Sequence, residues 1–276
     1  MPRALNTYWC DMPNFGDRLT RALLGYFGIE TRLATPWNAQ LVGVGSILEH
    51  MDDQFAGVVL GTGFMWAPSR RRFSRANLLA LRGALTQARV EGSRPEVLGD
   101  PGLLAPYLLA GAQESRYRLG LIPHYVERQT PDVLRIARQY PDDVLLIDVE
   151  RRPADVIADV ARCDAIVSSS LHGLIVADAL GIPNRWIHAD AVLGGGFKFR
   201  DYYSAFGEQR SPIPLDGRQT LRTLLVAVEA PPAAVGVVQS RLYDLFADLE
   251  RHLVNDPQLG DPQLGSLAAE TTGAIH

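Results

Sequence analysis

Short apolar runs alternate along this chain with stretches in which apolar residues recur every three or four positions. The runs at 5–10, 41–45, 56–61, 77–82 and 96–99 predict strands. Between them, 17–28, 46–51, 83–92 and 101–111 carry helical patterns. A polar stretch, GAQESRYR at 111–118, interrupts, and then the pattern restarts. Strands are predicted over 118–125, 143–149, 165–170 and 184–189, with helices over 130–140, 152–163 and 171–181. Such alternation implies an α/β fold with largely parallel sheets covered on both faces. The restart predicts two Rossmann-like domains, residues 1–112 and 113–230. After Pro231 and Pro232, the residues Val235, Val238, Leu242, Leu245 and Leu249 share one helix face, so 231–255 is expected to form a helix packing across both domains. Residues 256–276 hold a tandem DPQLG and read as a disordered tail.

Composition narrows the function classes. The chain has 276 residues, enough for two domains of roughly 100–150 residues each. Its net charge of −4 is spread along the chain without a long basic run, which argues against a nucleic-acid partner. Its two cysteines, Cys10 and Cys163, lack paired spacing and end apolar segments; buried thiols in a reducing compartment are expected, not a zinc site. The opening MPRALNTYWC lacks the apolar core of a secretion signal, and no window of about 18 apolar residues appears. A cytoplasmic location is expected, with any membrane contact peripheral.

Parallel α/β sheets bind ligands at the carboxyl ends of their strands. In DMPNFGD (11–17), Asn14, Gly16 and Asp17 form a loop that opens a helix; Asp17 is either its N-cap or a base at the sheet edge. Arg82 ends the 77–82 run, as a surface ion pair or as a planar fork for a carboxylate or phosphate. In LGDPGLL (98–104), Gly99, Asp100 and Pro101 read as architecture, with Pro101 at a first helical position. His124 ends the first strand of the second domain, as a packed group or a functional one. VSSSLHGLIVADALGIP (167–183) crowds Ser169, Ser170 and His172 at a strand-to-helix junction where one hydroxyl cap would suffice. Free N–H groups and the helix dipole make that junction an anion site. The dipole should keep His172 neutral at rest, and a bound anion would favour its protonation, as a general acid requires. GGGFKFRDYYSAFG (194–207) offers Lys198 and Arg200 beside aromatic rings, as a solvated basic pair or as a lid facing phosphate or sugar. GVG (43–45) and GTG (61–63) do not complete a dinucleotide fingerprint.

Taken in order, NFGD, VGSIL, LGTGF, LRGALT, LGDPGLL, LIPHY, SSSLHG and KFRDYYSAFG resemble the polysaccharide pyruvyltransferase family, particularly its exopolysaccharide-modifying branch, over residues 5–207. The resemblance implies a GT-B-like arrangement of the two domains, with the site in the cleft between them. It implies phosphoenolpyruvate as donor, with no further cofactor and no metal. The acceptor would be a sugar or lipid-linked oligosaccharide, ketalised at two hydroxyls, near the inner face of the membrane. Asp17 matches the family's catalytic acidic residue and Arg82 a donor-holding arginine. Leu171 and His172 match the end of an Arg-Leu-His-Gly signature whose arginine is Ser170 here. His172 is then assigned as acid and Asp17 as base. Arg82, with Lys198 or Arg200, supplies the clamps, and Ser169, Ser170, Leu171, His124 and Asn14 line the substrate. Two rivals stay open: a nucleotide-sugar glycosyltransferase, for which Asp190 and Asp201 could hold a ribose, and a non-catalytic glycan-binding relative.

Overall fold

The computed structural model describes residues 4–188 and 192–254. In chain order its first part runs β1 (Leu5–Tyr8), α1 (Phe15–Tyr26), β2 (Thr31–Leu33), β3 (Leu41–Val42), β4 (Val58–Leu60), β5 (Arg71–Phe73), β6 (Asn77–Leu81), α2 (Ala84–Gln87), β7 (Val90–Gly92) and β8 (Val97–Leu98). A 3₁₀ segment, Pro101–Leu108, follows. The second part runs β9 (Leu119–Ile122), α3 (Pro131–Gln139), β10 (Val144–Leu146), α4 (Pro153–Ala161), β11 (Ile166–Ser168), α5 (Leu171–Ala179) and β12 (Asn184–Trp186). Then come α6 (Phe197–Ser204), α7 (Leu221–Ala227), α8 (Val235–Ala247) and α9 (Leu249–Val254).

Two parallel sheets result. Six strands lie in the order β2-β1-β3-β4-β6-β8 and four in the order β10-β9-β11-β12, and a separate parallel pair joins β5 to β7. Strand side chains alternate between faces. Val58 and Leu60 therefore enter one core while Val59 enters another, and Ile166 and Val167 divide in the same way. Both faces are buried, as the alternating sequence implied. One core cluster, including Leu19, Leu103, Ile122 and Leu174, runs through both sheet units. Helix α5 is buried from Leu171 to Asp178, so it is apolar all round rather than on one stripe.

Several elements differ from expectation. Only Leu48–His50 is helical in 46–51, as a 3₁₀ turn. The 83–92 helix stops at Gln87, and 90–92 is a strand. The 101–111 helix is 3₁₀ because Pro106, inside it, offers no N–H for a longer ladder. The C-terminal helix starts at Val235, beyond both prolines, and breaks at Asp248 into α8 and α9. Aspartate is a poor helix-interior residue, since its carboxylate competes for backbone groups. Helix α8 packs on β8, the 101–108 segment and α5, where Gln239 Nε2 donates to the carbonyls of Leu103 (2.9 Å) and Ala179 (3.0 Å). Cys163 is buried, but Cys10 is only half-buried. The expected tail, 256–276, and Asp190 lie outside the described residues. Among those described, no helix is long and apolar enough to cross a membrane.

Candidate active site

Strand order reverses between β1 and β3 in the first sheet and between β9 and β11 in the second. Each reversal opens a crevice at the carboxyl ends of the strands. Asp17 follows β1; His124 follows β9; Ser169, Ser170 and His172 follow β11. The segments that follow β1 and β11 touch. Phe15 N, in the first turn of α1, donates to Val149 O beyond β10 at 2.7 Å. The rings of Phe15 and His172 lie edge to face, 6.3 Å between centroids. A Cβ at Gly16 would fall 2.0 Å from His172 Nδ1, so only glycine lets α1 approach the first turn of α5 this closely.

The caps differ from expectation in an informative way. Asn14, not Asp17, is the N-cap of α1; its Oδ1 accepts from Gly16 N at 3.1 Å. Helix α1 starts two residues earlier than predicted, so Asp17 sits in its first turn, where the dipole favours a carboxylate. At α5, Ser170 holds the N-cap position but its side chain makes no capping bond. Two neighbouring hydroxyls are structural. Ser168 Oγ donates to the carbonyls of Ile122 (2.9 Å) and Ser170 (2.8 Å) and accepts from Ser170 N (2.9 Å). Ser169 Oγ donates to Glu127 Oε2 and accepts from His124 N, both at 2.9 Å. The serine surplus thus fixes the junction's shape and leaves the helix end uncapped by side chains.

Electrostatics follow from burial. Burial, then the charges of Lys198 and Arg82, pushes His172 down to about 3. The sequence attributed its neutrality to the helix dipole; desolvation is the larger cause. Burial and Lys198 likewise push His124 down to about 4. Its Nδ1 is buried without a partner among the described residues, and its ring lies 4.4 Å from that of Tyr125. Asp17 is raised to about 6, burial outweighing the pull of Lys198 and Arg18. Lys198 is 7 % exposed and lowered to about 8, by burial and then Arg82, against the opposing pull of Asp17. Asp17, His124, His172, Lys198 and Arg82 therefore share one electrostatic neighbourhood. An ammonium, two neutral imidazoles and the Asp17 carboxyl thus cluster near the N-terminus of α5, which no side chain caps.

Arg82 is engaged within the protein itself. It is fully buried, and its fork is taken up: Nε donates to Asp201 Oδ2 (2.8 Å), Nη1 to Ser46 Oγ (2.5 Å) and Nη2 to Phe64 O (2.5 Å). Asp201 also accepts from Thr86 N and Thr86 Oγ1, both at 2.7 Å. This pair joins the end of β6 to α6, and Gly83 permits it, since a Cβ there would meet Asp201 O at 1.7 Å. Asp201, buried with both oxygens engaged, is not available to hold a ribose.

The aromatic lid is also revised. Residues 197–204 form helix α6 after three glycines with positive φ, and Phe197, Phe199, Tyr202 and Tyr203 are core residues. Phe199 stacks on Trp186 at 4.4 Å, and Tyr202 donates to Asp178. Their faces are closed to sugar. Arg200 is exposed and donates to Gly195 O at 2.6 Å, so of the two cations only Lys198 joins the cluster. Asp100 has the architectural role its sequence suggested, and it also faces His172. Its carboxyl is fully buried, caps Gly102 N at 2.8 Å and is raised to about 6 by burial, with Oδ2 3.8 Å from His172 Nε2. Its place at the carboxyl end of β8 was the available signal.

The sequence profile described as polysaccharide pyruvyl transferase matches residues 58–190. That stretch holds Arg82, Asp100, His124, Ser169, Ser170 and His172, whereas Asn14, Asp17 and Lys198 lie outside it. Uncharacterized protein L143 of Acanthamoeba polyphaga mimivirus is 34% identical over 188 residues, which cover 63% of this chain and 62% of that protein. Succinoglycan biosynthesis protein ExoV of Rhizobium meliloti (strain 1021) is 29% identical over 226 residues, 76% of this chain and 68% of ExoV. The chain thus spans somewhat less than two thirds of the mimivirus protein's length. No solved structure matches it. Over residues 58–190, just under half of its length, the chain is thus similar to the polysaccharide pyruvyl transferase family.

Proposed function

We propose that the protein is a ketal-forming pyruvyltransferase that moves the enolpyruvyl group of phosphoenolpyruvate onto a sugar of a polysaccharide or of its lipid-linked precursor. The observation that carries this reading is the buried ammonium of Lys198 beside two neutral histidines and the uncapped end of α5. A small multivalent anion supplies the charge this pocket lacks. The printed role of ExoV, succinoglycan biosynthesis, supports a saccharide acceptor. The facing crevices support a GT-B-like arrangement of units 1–112 and 113–230.

The chemistry balances with the groups present. The donor's phosphate and carboxylate lie against Lys198 and the first-turn N–H groups of α5, beginning at Leu171. Ser169 shapes the loop that carries His124, and the Arg82–Asp201 pair holds α6, and so Lys198, in place. The bound charge raises the proton affinity of His172. His172 then delivers a proton to the donor's methylene carbon, making it a methyl and leaving C2 oxocarbenium-like. A sugar hydroxyl adds to C2 and gives its proton to Asp17. The C2–O bond to phosphate breaks, inorganic phosphate leaves, and a second hydroxyl closes the ketal with loss of its proton. General acid and base contributions of this kind are worth about 10²–10⁴ each.

The test is incubation with phosphoenolpyruvate and bacterial exopolysaccharide oligosaccharides. Saccharide-dependent phosphate release, with a pyruvate ketal in the product by mass spectrometry, is expected. Consumption of a nucleotide-sugar instead, or binding of glycan with no turnover, would replace this assignment with one of its rivals.

A further inference from the structure

Asp100 and His172 stand on different elements, yet each presents a buried, unpartnered atom to the other. Asp100 precedes the 3₁₀ segment 101–108, which packs against both α1 and α5. One carboxyl oxygen, Oδ1, is fixed by Gly102 N at 2.8 Å. The other, Oδ2, has no partner among the described residues and lies 3.8 Å from His172 Nε2, which has none either. A buried acceptor and a buried donor-capable nitrogen are costly apart and complementary together. A shift of about 1 Å would bring them to hydrogen-bond distance. The imidazole is held in this orientation from two sides. The Gly16 backbone borders the Nδ1 edge, which a Cβ there would block, and a Cβ at Gly102 would lie 3.6 Å from Cδ2. The charged groups facing the pair are Lys198 from α6, Arg82 after β6, and Asp201 on α6.

We propose that Asp100 is a positioning residue that acts through His172: Oδ2 accepts the Nε2–H, which leaves the lone pair on Nδ1, and the carboxylate supports the imidazolium when Nδ1 takes up a proton. A neutral imidazole carries one ring hydrogen, and the partner of one nitrogen decides the role of the other. With Nε2 turned to Asp100, Nδ1 on the α1 side is the atom that gains and returns the proton. This inference rests on the pyruvyl-transfer reading only for its kinetic arm.

The test uses the full chain labelled with ¹⁵N-histidine, with the His172 resonances assigned by loss in His172→Gln. Wild type is expected to carry the neutral ring hydrogen on Nε2. Asp100→Asn keeps an oxygen for Gly102 N but turns an amide N–H toward the ring, so the hydrogen should move to Nδ1. In the same variant kcat should fall about 10- to 100-fold, the usual effect of losing an orienting partner, with KM for phosphoenolpyruvate little changed. Should Asp100→Asn not fold, Asp100→Ser keeps a capping hydroxyl, removes Oδ2 and should leave the two tautomers mixed. A ring hydrogen on Nδ1 in wild type, or one unmoved by the substitution, overturns the proposal even if phosphoenolpyruvate is turned over. A tautomer that shifts as expected in an enzyme that ignores phosphoenolpyruvate upholds the pair and removes the donor assignment instead.

Discussion

Replacing Arg82 with methionine separates a structural guanidinium from a substrate clamp. Arg82 is fully buried and makes three bonds, at 2.8, 2.5 and 2.5 Å, to Asp201, Ser46 and Phe64. Methionine fills much of the volume but leaves the Asp201 carboxylate buried without its cation. Removing one partner of a buried pair costs about 3–5 kcal/mol. Each kcal/mol moves the midpoint of a chain approaching this size by about 2–4 °C, so Tm should fall by about 6–20 °C. Urea unfolding followed by circular dichroism measures the loss directly. Arg82→Met combined with Asp201→Asn removes both charges while keeping an acceptor for Thr86 N, and it should recover most of the loss. A stability change in Arg82→Met below about 1 kcal/mol, well short of the cost of breaking a buried pair, accompanied by a raised KM for the donor, would refute the reasoning and return Arg82 to the substrate. So would a double variant no more stable than the single one.

Other substitutions probe the same geometry. Gly16→Ala should displace His172, costing about 1–3 kcal/mol by overpacking and most of the turnover, whereas Gly25→Ala, on the same helix with no heavy atom within 4 Å, should stabilise by about 0.5–1 kcal/mol; thermal melts and donor kinetics of the two read the contrast. Asp17→Asn should stabilise the fold while abolishing base function: Asp17 is raised to about 6, so its ionised form opposes folding, and the gain, at most about 3 kcal/mol, is full above pH 6, shrinks as pH falls from about 6 toward 3.8 and is absent below that, as unfolding midpoints across pH would record. Ser169→Ala removes the acceptor of His124 N and should cost about 1–3 kcal/mol, together with faster hydrogen exchange at the His124 amide.

Much of this was legible in the sequence where local pattern and tertiary structure agree. The run NLLALR gave a strand ending at the arginine, and LHGLIVADAL gave a helix, because a buried parallel strand and a fully buried helix are both apolar throughout. Strand β2, TRL, was missed because it is a short edge strand with exposed side chains and carries no apolar run. The polar KFRDYY segment hid helix α6, whose Lys198 and Asp201 are buried only because partners distant in sequence receive them. The same limit hid the roles of the site residues. Arg82 and Asp201 are 119 positions apart, and nothing local tells a guanidinium facing a ligand from one locked to a carboxylate. Asp100 looked like a turn residue, which it is; its second oxygen comes to face His172 only when the 101–108 segment packs against α5.

The coupling between donor and proton is measured most directly by titrating phosphoenolpyruvate into wild type and His172→Gln by calorimetry, in buffers of different ionisation enthalpy at neutral pH. An imidazole held near 3 in the free protein that protonates beside the bound anion predicts net proton uptake in wild type, and its loss in His172→Gln with donor binding retained. Binding with identical proton uptake in the two proteins, or no binding at all, would contradict the assignment of this pocket.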